Sequence, residues 1–131
     1  MKQKEIITQL QLKLPRLLGI YAFGSRIQGT VHANSDLDLA VLVEGYADPV
    51  QLWQLAQTLV DLAGCEVDLL DLRAASTVMQ YQVITTGELW WSRDSQAELY
   101  ETFIISEKMR LDEARAPLLE DIYRQGRIYG Q

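Results

Sequence analysis

Two short motifs carry the side chains of this chain that are best suited to phosphate chemistry. Gly24-Ser25 ends an apolar run, and ten residues later Asp36 and Asp38 open a second apolar run. Side chains alternate along a strand, so the two carboxylates are expected on one face, with their Cα atoms about 6.5 Å apart. Such a pair can share Mg²⁺ ions with substrate phosphates. The pattern predicts transfer of a phosphate-linked group; the alternatives are Ca²⁺ ligands or solvated residues at a strand edge.

A third carboxylate is expected on a following strand. Two-metal phosphoryl chemistry needs a further group to hold a metal or to take the proton of the attacking hydroxyl. The segment from Glu66 to Leu72 offers Asp68 and Asp71. Asp68 falls in mid-strand, where a carboxylate is costly unless it has a partner such as a metal, whereas Asp71 can cap the following turn. We favour Asp68; the alternative is that both aspartates face solvent on an edge strand.

The elements that must position these residues follow from periodicity and end signals. Strands are predicted at 18–23, 36–43, 65–72 and 88–92. Helices are predicted at 3–14, at 73–86 and at about 112–128. End signals predict two more, one from Asp48-Pro49 to Gly64 and one that begins at the Ser95-x-x-Glu98 capping box. A short helix is expected to start over 25–29. We therefore expect one domain over residues 1–131, an α/β (α+β) fold. It has a small mixed sheet of about four strands flanked by helices, and a helical C-terminal portion at 94–131.

Composition narrows the class of protein. The chain has 131 residues and a net charge of −6, which argues against non-specific binding of nucleic acid because that needs a basic patch. Cys65 is the single cysteine, so no internal disulfide is expected and a reducing compartment is favoured. We predict no membrane span and no signal peptide, and hence a cytoplasmic protein.

The motifs resemble those of the polymerase-β-like nucleotidyltransferase superfamily, which has Gly-Ser, a spacer, Asp-x-Asp and a third aspartate on a following strand. The resemblance covers about residues 18–72. Gly24-Ser25-Arg26 and Ser35-Asp36-Leu37-Asp38-Leu39 are similar to the corresponding segments of the minimal (MNT, or MntA-type) nucleotidyltransferases. One departure is Ala33-Asn34, where such proteins often have a basic residue and a proline.

The resemblance implies a function. MNT proteins are typically antitoxins encoded beside a HEPN-domain toxin, an RNase, which they neutralise by binding and by transferring AMP from ATP to a tyrosine of the toxin. It implies Mg²⁺ at Asp36, Asp38 and Asp68, with Asp68 orienting or deprotonating the acceptor hydroxyl. Gly24, Ser25 and Arg26 would contact the nucleotide phosphates. Two alternatives are a nucleotidyltransferase acting on a small-molecule hydroxyl, as in the aminoglycoside-type enzymes, and an antitoxin that acts by binding alone.

Four further features receive simpler interpretations. His32, in the loop between the motif halves, is interpreted as solvated. Trp53, Trp90 and Trp91 are interpreted as core or helix-packing residues. Because Trp90 and Trp91 are adjacent on a short strand, we expect that they cannot both point inward and that one lies at an interface. The tail Tyr123–Tyr129 is a candidate partner contact.

Overall fold

Four strands and four helices make up the part of the chain that the computed structural model describes, which is residues 1–27 and 36–129, with side chains for 1–27 and 36–115. The strands are β1 (Leu17–Phe23), β2 (Leu37–Val43), β3 (Val67–Asp71) and β4 (Glu88–Ser92). The helices are α1 (Gln3–Lys13), α2 (Pro49–Ala63), α3 (Thr77–Thr86) and α4 (Gln96–Tyr129). The predicted α/β fold with a small mixed sheet is confirmed.

The sheet has the order β3-β2-β1-β4. β1 pairs antiparallel with both β2 and β4, whereas β2 and β3 are parallel because α2 connects them. This crossover brings the beginnings of β2 and β3 to the same end of the sheet. Asp38 and Asp68, each the second residue of its strand, therefore become neighbours.

The two central strands are buried on both faces, which explains why β1 and β2 read as nearly continuous apolar runs. On one face, α1 and α2 cover Ile20, Leu39 and Val41. On the other face, α3 and α4 cover Tyr21 and Leu42. The carboxylates at the start of β2 are thus carried by a strand that core packing holds in place.

Helix α2 is defined by its ends, as the sequence predicts. The Asp48 side chain accepts a hydrogen bond of 3.0 Å from the backbone N–H of Val50, and Pro49 occupies the first turn. Gly64 ends the helix with φ +75°, a left-handed conformation that suits glycine. This helix therefore sets the spacing between β2 and β3.

Three of the predicted helices differ in extent from those observed. The helix expected at 73–86 begins at Thr77, because the Ser76 side chain accepts a hydrogen bond of 3.2 Å from the N–H of Met79. The two C-terminal helices expected from Ser95 and at 112–128 are one helix, α4, of 34 residues. Its first turn is capped by Asp94, whose carboxylate accepts a hydrogen bond of 2.9 Å from the N–H of Gln96.

The interpretation of the tryptophans needs correction. Trp53 is 66% exposed on α2 and does not belong to the core. Trp90 and Trp91 are both half-buried and pack against the same core cluster. The pairing shifts from Ile20↔Trp91 to Tyr21↔Leu89, so Trp90 is an additional residue in a β-bulge. A bulge breaks the alternation of side chains, which is why two adjacent tryptophans can face one side.

Some predictions fall on residues that lie outside this description. His32 belongs to the segment 28–35, which is not described. Of the short helix expected over 25–29, residues 25–27 form a turn, and residues 28 and 29 lie in the same undescribed segment. The backbone of the tail is helical to Tyr129, but its side chains from residue 116 onward are not described. The tail as a partner contact therefore stays a prediction. Among the described helices, none combines the length and apolarity that crossing a bilayer requires.

A partly buried hydrogen bond between Tyr21 and Glu101 connects β1 to α4. The hydroxyl of Tyr21 donates to Oε2 of Glu101 at 2.8 Å. Burial, together with this carboxylate, raises the pKa of Tyr21. We expect Tyr21→Phe to lower the free energy of unfolding by about 1–2 kcal/mol in urea denaturation at pH 7, since Glu101 loses its donor. Tyr46→Phe is the control, because Tyr46 is exposed, and an equal loss in the two variants would contradict the prediction.

Candidate functional site

The Gly24-Ser25-Arg26 segment forms a tight turn at the end of β1. Gly24 has φ +84°, a left-handed conformation that other residues rarely adopt. The N–H of Ile27 donates to the carbonyl of Gly24 at 3.1 Å, which closes the turn. Ser25 is exposed and Arg26 is half-buried. The turn therefore presents a small residue and a hydroxyl at the same end of the sheet as the start of β2.

Gly24 lies directly against the side chain of Asp38. The last residue of β1, Phe23, is the pairing partner of Asp38 across the two antiparallel strands. A Cβ added to Gly24 would overlap Oδ2 of Asp38 and would lie 3.2 Å from its Cγ and 3.4 Å from its Cβ. Ordinary side chains do not tolerate such an approach, so glycine at position 24 is what allows the turn and the carboxylate to form one site.

The three predicted carboxylates come together at this end of the sheet. Asp38 and Asp68 are direct partners in the parallel pairing of β2 and β3, so their side chains lie on one face. Asp36 is exposed one residue before β2, and its charge is close enough to act on Asp38. The structure thus brings together Gly24, Asp36, Asp38 and Asp68 from three segments of the chain.

Burial and the neighbouring carboxylates both change the pKa of Asp38. Burial raises the pKa of Asp38, and the negative charges of Asp68 and Asp36 and a hydrogen bond with the Asp68 side chain raise it further. Like charges at that distance disfavour the ionised form of Asp38. A divalent cation bound beside Asp38 would relieve this repulsion.

The donor set fits Mg²⁺, although the side chains do not form a closed cage. Among residues 1–27 and 36–115, no three aspartate, glutamate, histidine or cysteine side chains stand as they would around a bound metal ion. Mg²⁺ does not require such a cage, since it typically takes one or two carboxylates and completes its shell with water and substrate phosphates. Asp38 and its neighbouring carboxylates supply hard oxygen ligands of that kind.

Asp71 has a structural role, which separates it from Asp68. Its carboxylate is buried and accepts hydrogen bonds from the N–H of Ala47 at 2.9 Å and from the N–H of Arg73 at 3.1 Å. Asp68 is exposed, so the expectation of a costly carboxylate in mid-strand is wrong for that residue. The reason is that β3 is the outermost strand of the described sheet.

The two aspartates of β3 should therefore respond to substitution in opposite ways. We expect Asp71→Ala to lower the free energy of unfolding by about 2–3 kcal/mol, since two partly buried backbone N–H groups lose their acceptor. Asp68→Ala should leave it unchanged or raise it slightly, because Asp68 is exposed and its negative charge lies against that of Asp38. Urea denaturation of both variants measures the difference, and equal losses would contradict these roles.

A pocket beside Asp68 was not predicted from the sequence. It has a volume of about 260 Å³ and lies between α2 and β3, lined in part by Trp53, Gln57, Glu66 and Asp68. Trp53 and Gln57 are four residues apart on α2 and so lie on one side of the helix. The sequence pattern assigned Trp53 to the core, but Trp53 is exposed. The side of α2 that carries Trp53 is uncovered because β3 lies at the edge of the described sheet.

Comparisons with known proteins identify the family of this chain. The sequence profile of the family described as Polymerase beta, Nucleotidyltransferase matches residues 4–96. The chain is 40% identical over 122 residues to the protein adenylyltransferase MntA of Shewanella oneidensis. The aligned residues cover 93% of this chain and 88% of that protein.

Two solved structures of complexes are also similar. A crystal structure of a toxin-antitoxin with AMP-PNP contains a chain with a TM-score of 0.83 and 40% identity, covering 94% of this chain and 99% of that one. A complex of the tri-AMPylated HEPN toxin of Shewanella oneidensis with its MNT antitoxin contains a chain with a TM-score of 0.76 and 35% identity, covering 93% of this chain and 96% of that one.

Proposed function

Because this chain belongs to the polymerase beta nucleotidyltransferase family, we propose that it is a protein adenylyltransferase and the antitoxin of a toxin-antitoxin pair. It transfers AMP from ATP to a tyrosine hydroxyl of a HEPN toxin and thereby neutralises that toxin. One observation of this chain carries the proposal: the Gly24 turn packs on the carboxylate of Asp38, which is itself paired with Asp68. This geometry supports a phosphate-binding turn that would lie directly beside the carboxylates that would hold a metal.

Each part of the site has a role that follows from its chemistry. Gly24 and Ser25 would provide a turn that a triphosphate can approach closely, and Arg26 would add positive charge. Asp36 and Asp38, with Asp68, would hold Mg²⁺. When bound there, Mg²⁺ would neutralise charge on the triphosphate and on the phosphoryl group in transfer.

The reaction forms one bond and breaks another. The acceptor oxygen attacks the α-phosphorus of ATP, a new P–O bond forms, and the bond between the α-phosphorus and the bridging oxygen breaks to release pyrophosphate. The proton of the hydroxyl goes to the carboxylate of Asp68. A carboxylate on an exposed edge strand can reach a group on another protein and act there as orienting group and base.

The open position of the site favours a macromolecular acceptor over a small one. Asp36 and Asp68 are both exposed, and Asp68 lies on the outermost strand of the described sheet. An enzyme that acts on a small hydroxyl, as the aminoglycoside-type enzymes do, gains from enclosing its acceptor. We infer further that the pair acts in the cytoplasm, where the single thiol of Cys65 would stay reduced.

The proposed function is tested with α-labelled ATP, Mg²⁺ and the product of the gene adjacent to that of this protein. We expect label to appear on a tyrosine of the second protein and its RNase activity to fall in proportion. A mixture containing β,γ-imido-ATP is a useful control, because this analogue can still donate AMP. Binding without transfer of label would show neutralisation by binding alone, and label on a small hydroxyl compound only would favour the small-acceptor alternative.

A further inference from the structure

The outer edge of β3 presents backbone groups that point away from the sheet. The N–H of Leu37 donates to the carbonyl of Glu66 at 2.9 Å, and the N–H of Leu72 donates to the carbonyl of Val41 at 2.9 Å. Backbone groups of successive residues in a strand point to opposite sides, so residues 66, 68, 70 and 72 face β2. It follows that the N–H and C=O groups of Val67 and Leu69 point outward, where a further strand can bind.

Side chains along β3 divide this edge into two sides. Val67 and Leu69 pack towards α2, on the side of the pocket of about 260 Å³. Asp68 lies on the opposite face with Asp38. A strand added at the edge would alternate in the same way. One of its side chains would enter the pocket beside Trp53, and the next would lie beside Asp68 on the carboxylate face.

We propose that the acceptor polypeptide binds as an added strand along the outer edge of β3, with Trp53 as its anchor. This inference rests on the proposed function and specifies how the acceptor is recognised. Backbone hydrogen bonds to Val67 and Leu69 give register, and the side chain that carries the reactive hydroxyl lies beside Asp68. An exposed tryptophan at the rim of a pocket is typical of residues that dominate binding energy.

Charge defines the chemistry of the acceptor segment. Glu66 and Asp68 border the edge, and the whole chain has a net charge of −6. A segment with lysine or arginine next to the reactive residue would be attracted to this edge, whereas an acidic segment would be repelled. The occupant is therefore a basic, extended segment of the partner.

The first test is Trp53→Ala, assayed by AMP transfer to the protein encoded by the adjacent gene. We expect the KM for this acceptor to rise about tenfold or more, with kcat and the KM for ATP within about twofold of wild type. Leu12→Ala is the control, because Leu12 is a comparably exposed apolar residue on α1, away from the pocket. Unchanged KM values for the acceptor in Trp53→Ala would overturn the assignment of the anchor.

The second test separates backbone recognition from packing. Leu69→Pro removes the N–H of residue 69, which points outward. It keeps the backbone N–H and C=O groups of Asp68 and Leu70, which bond to β2. Proline is tolerated where the N–H of an edge strand faces solvent. Leu69→Ala loses the same packing and keeps the N–H. We expect Leu69→Pro to raise the KM for the acceptor at least about fivefold above that of Leu69→Ala. Equal values in the two variants, with nucleotide binding retained in both, would overturn the added strand.

A third readout is independent of turnover. In the complex with the acceptor protein, amide hydrogen exchange should slow at Val67 and Leu69 and stay unchanged at Asp68 and Leu70, which already bond to β2. Failure of the wild-type protein to transfer AMP to any protein would refute the proposed function and this inference with it. Wild-type transfer without protection of Val67 and Leu69 would refute this inference alone.

Discussion

Asp38→Asn is expected to lower the rate of AMP transfer by about 10³-fold and at the same time to raise the melting temperature of the protein without Mg²⁺. The loss of activity follows because an amide supplies no negative charge for a metal and lacks one of its oxygen ligands. The gain in stability follows because the pKa of Asp38 is raised by burial and by Asp68 and Asp36, so its ionised form is unfavourable in the folded protein.

The sign of the pH dependence follows from the same shift. A carboxyl group whose pKa is higher in the folded state binds more protons there than in the unfolded state. Asp38 therefore costs stability increasingly as pH rises from its ordinary pKa of 3.8 through the raised value. The difference in melting temperature between Asp38→Asn and wild type should be small near pH 4 and grow towards neutrality, as differential scanning fluorimetry can measure.

Asp61→Asn is the matched control for this experiment. It removes one negative charge from an exposed position on α2, outside the carboxylate cluster. Its transfer rate and melting temperature should stay close to those of wild type at every pH. Mg²⁺ should stabilise wild type and Asp61→Asn alike and Asp38→Asn much less, since ligand binding stabilises only a protein that has the site. Retention of more than half of the activity by Asp38→Asn would contradict the metal assignment.

The sequence was sufficient for the parts of this site that depend on local order. The Asp48-Pro49 and Gly64 signals gave both ends of α2. The strand predicted at 36–43 is observed as Leu37–Val43, which contains Asp38 and begins directly after Asp36. The ends of these elements depend only on neighbours within a few residues of one another. The parallel register that places Asp38 opposite Asp68 is instead a contact between two distant segments of the chain.

The features that were missed depend on contacts between distant parts of the chain. The exposure of Trp53 and Asp68 follows from the position of β3 at the edge of the sheet, which no local pattern records. The two inward tryptophans follow from a bulge that exists only in the pairing of β4 with β1. The contact between Gly24 and Asp38 likewise requires the register of β1 against β2.

Because of the contact between Gly24 and Asp38, Gly24→Ala is the variant with the second large expected effect on AMP transfer. A methyl group at position 24 would overlap Oδ2 of Asp38, so either the turn or the carboxylate must move. Displacement of the proposed metal ligand Asp38 and of the proposed phosphate-binding turn should each lower transfer, and we expect a total loss of about 100-fold or more. The left-handed backbone at φ +84° adds a cost to stability of about 1–2 kcal/mol.

Gly45→Ala separates steric contact from backbone strain. Gly45 has φ +72°, close to that of Gly24, but a Cβ there would meet nothing within 4 Å. Backbone strain should therefore lower the free energy of unfolding by a similar amount in both variants. Only Gly24→Ala should also lose activity, and only in Gly24→Ala should the steric overlap lower stability further. In a double-mutant cycle with Asp38→Ala, the additional cost of Gly24→Ala should largely disappear, because the overlapping oxygen is gone. If Gly24→Ala is no worse than Gly45→Ala in transfer rate, the Gly24–Asp38 contact does not organise the site.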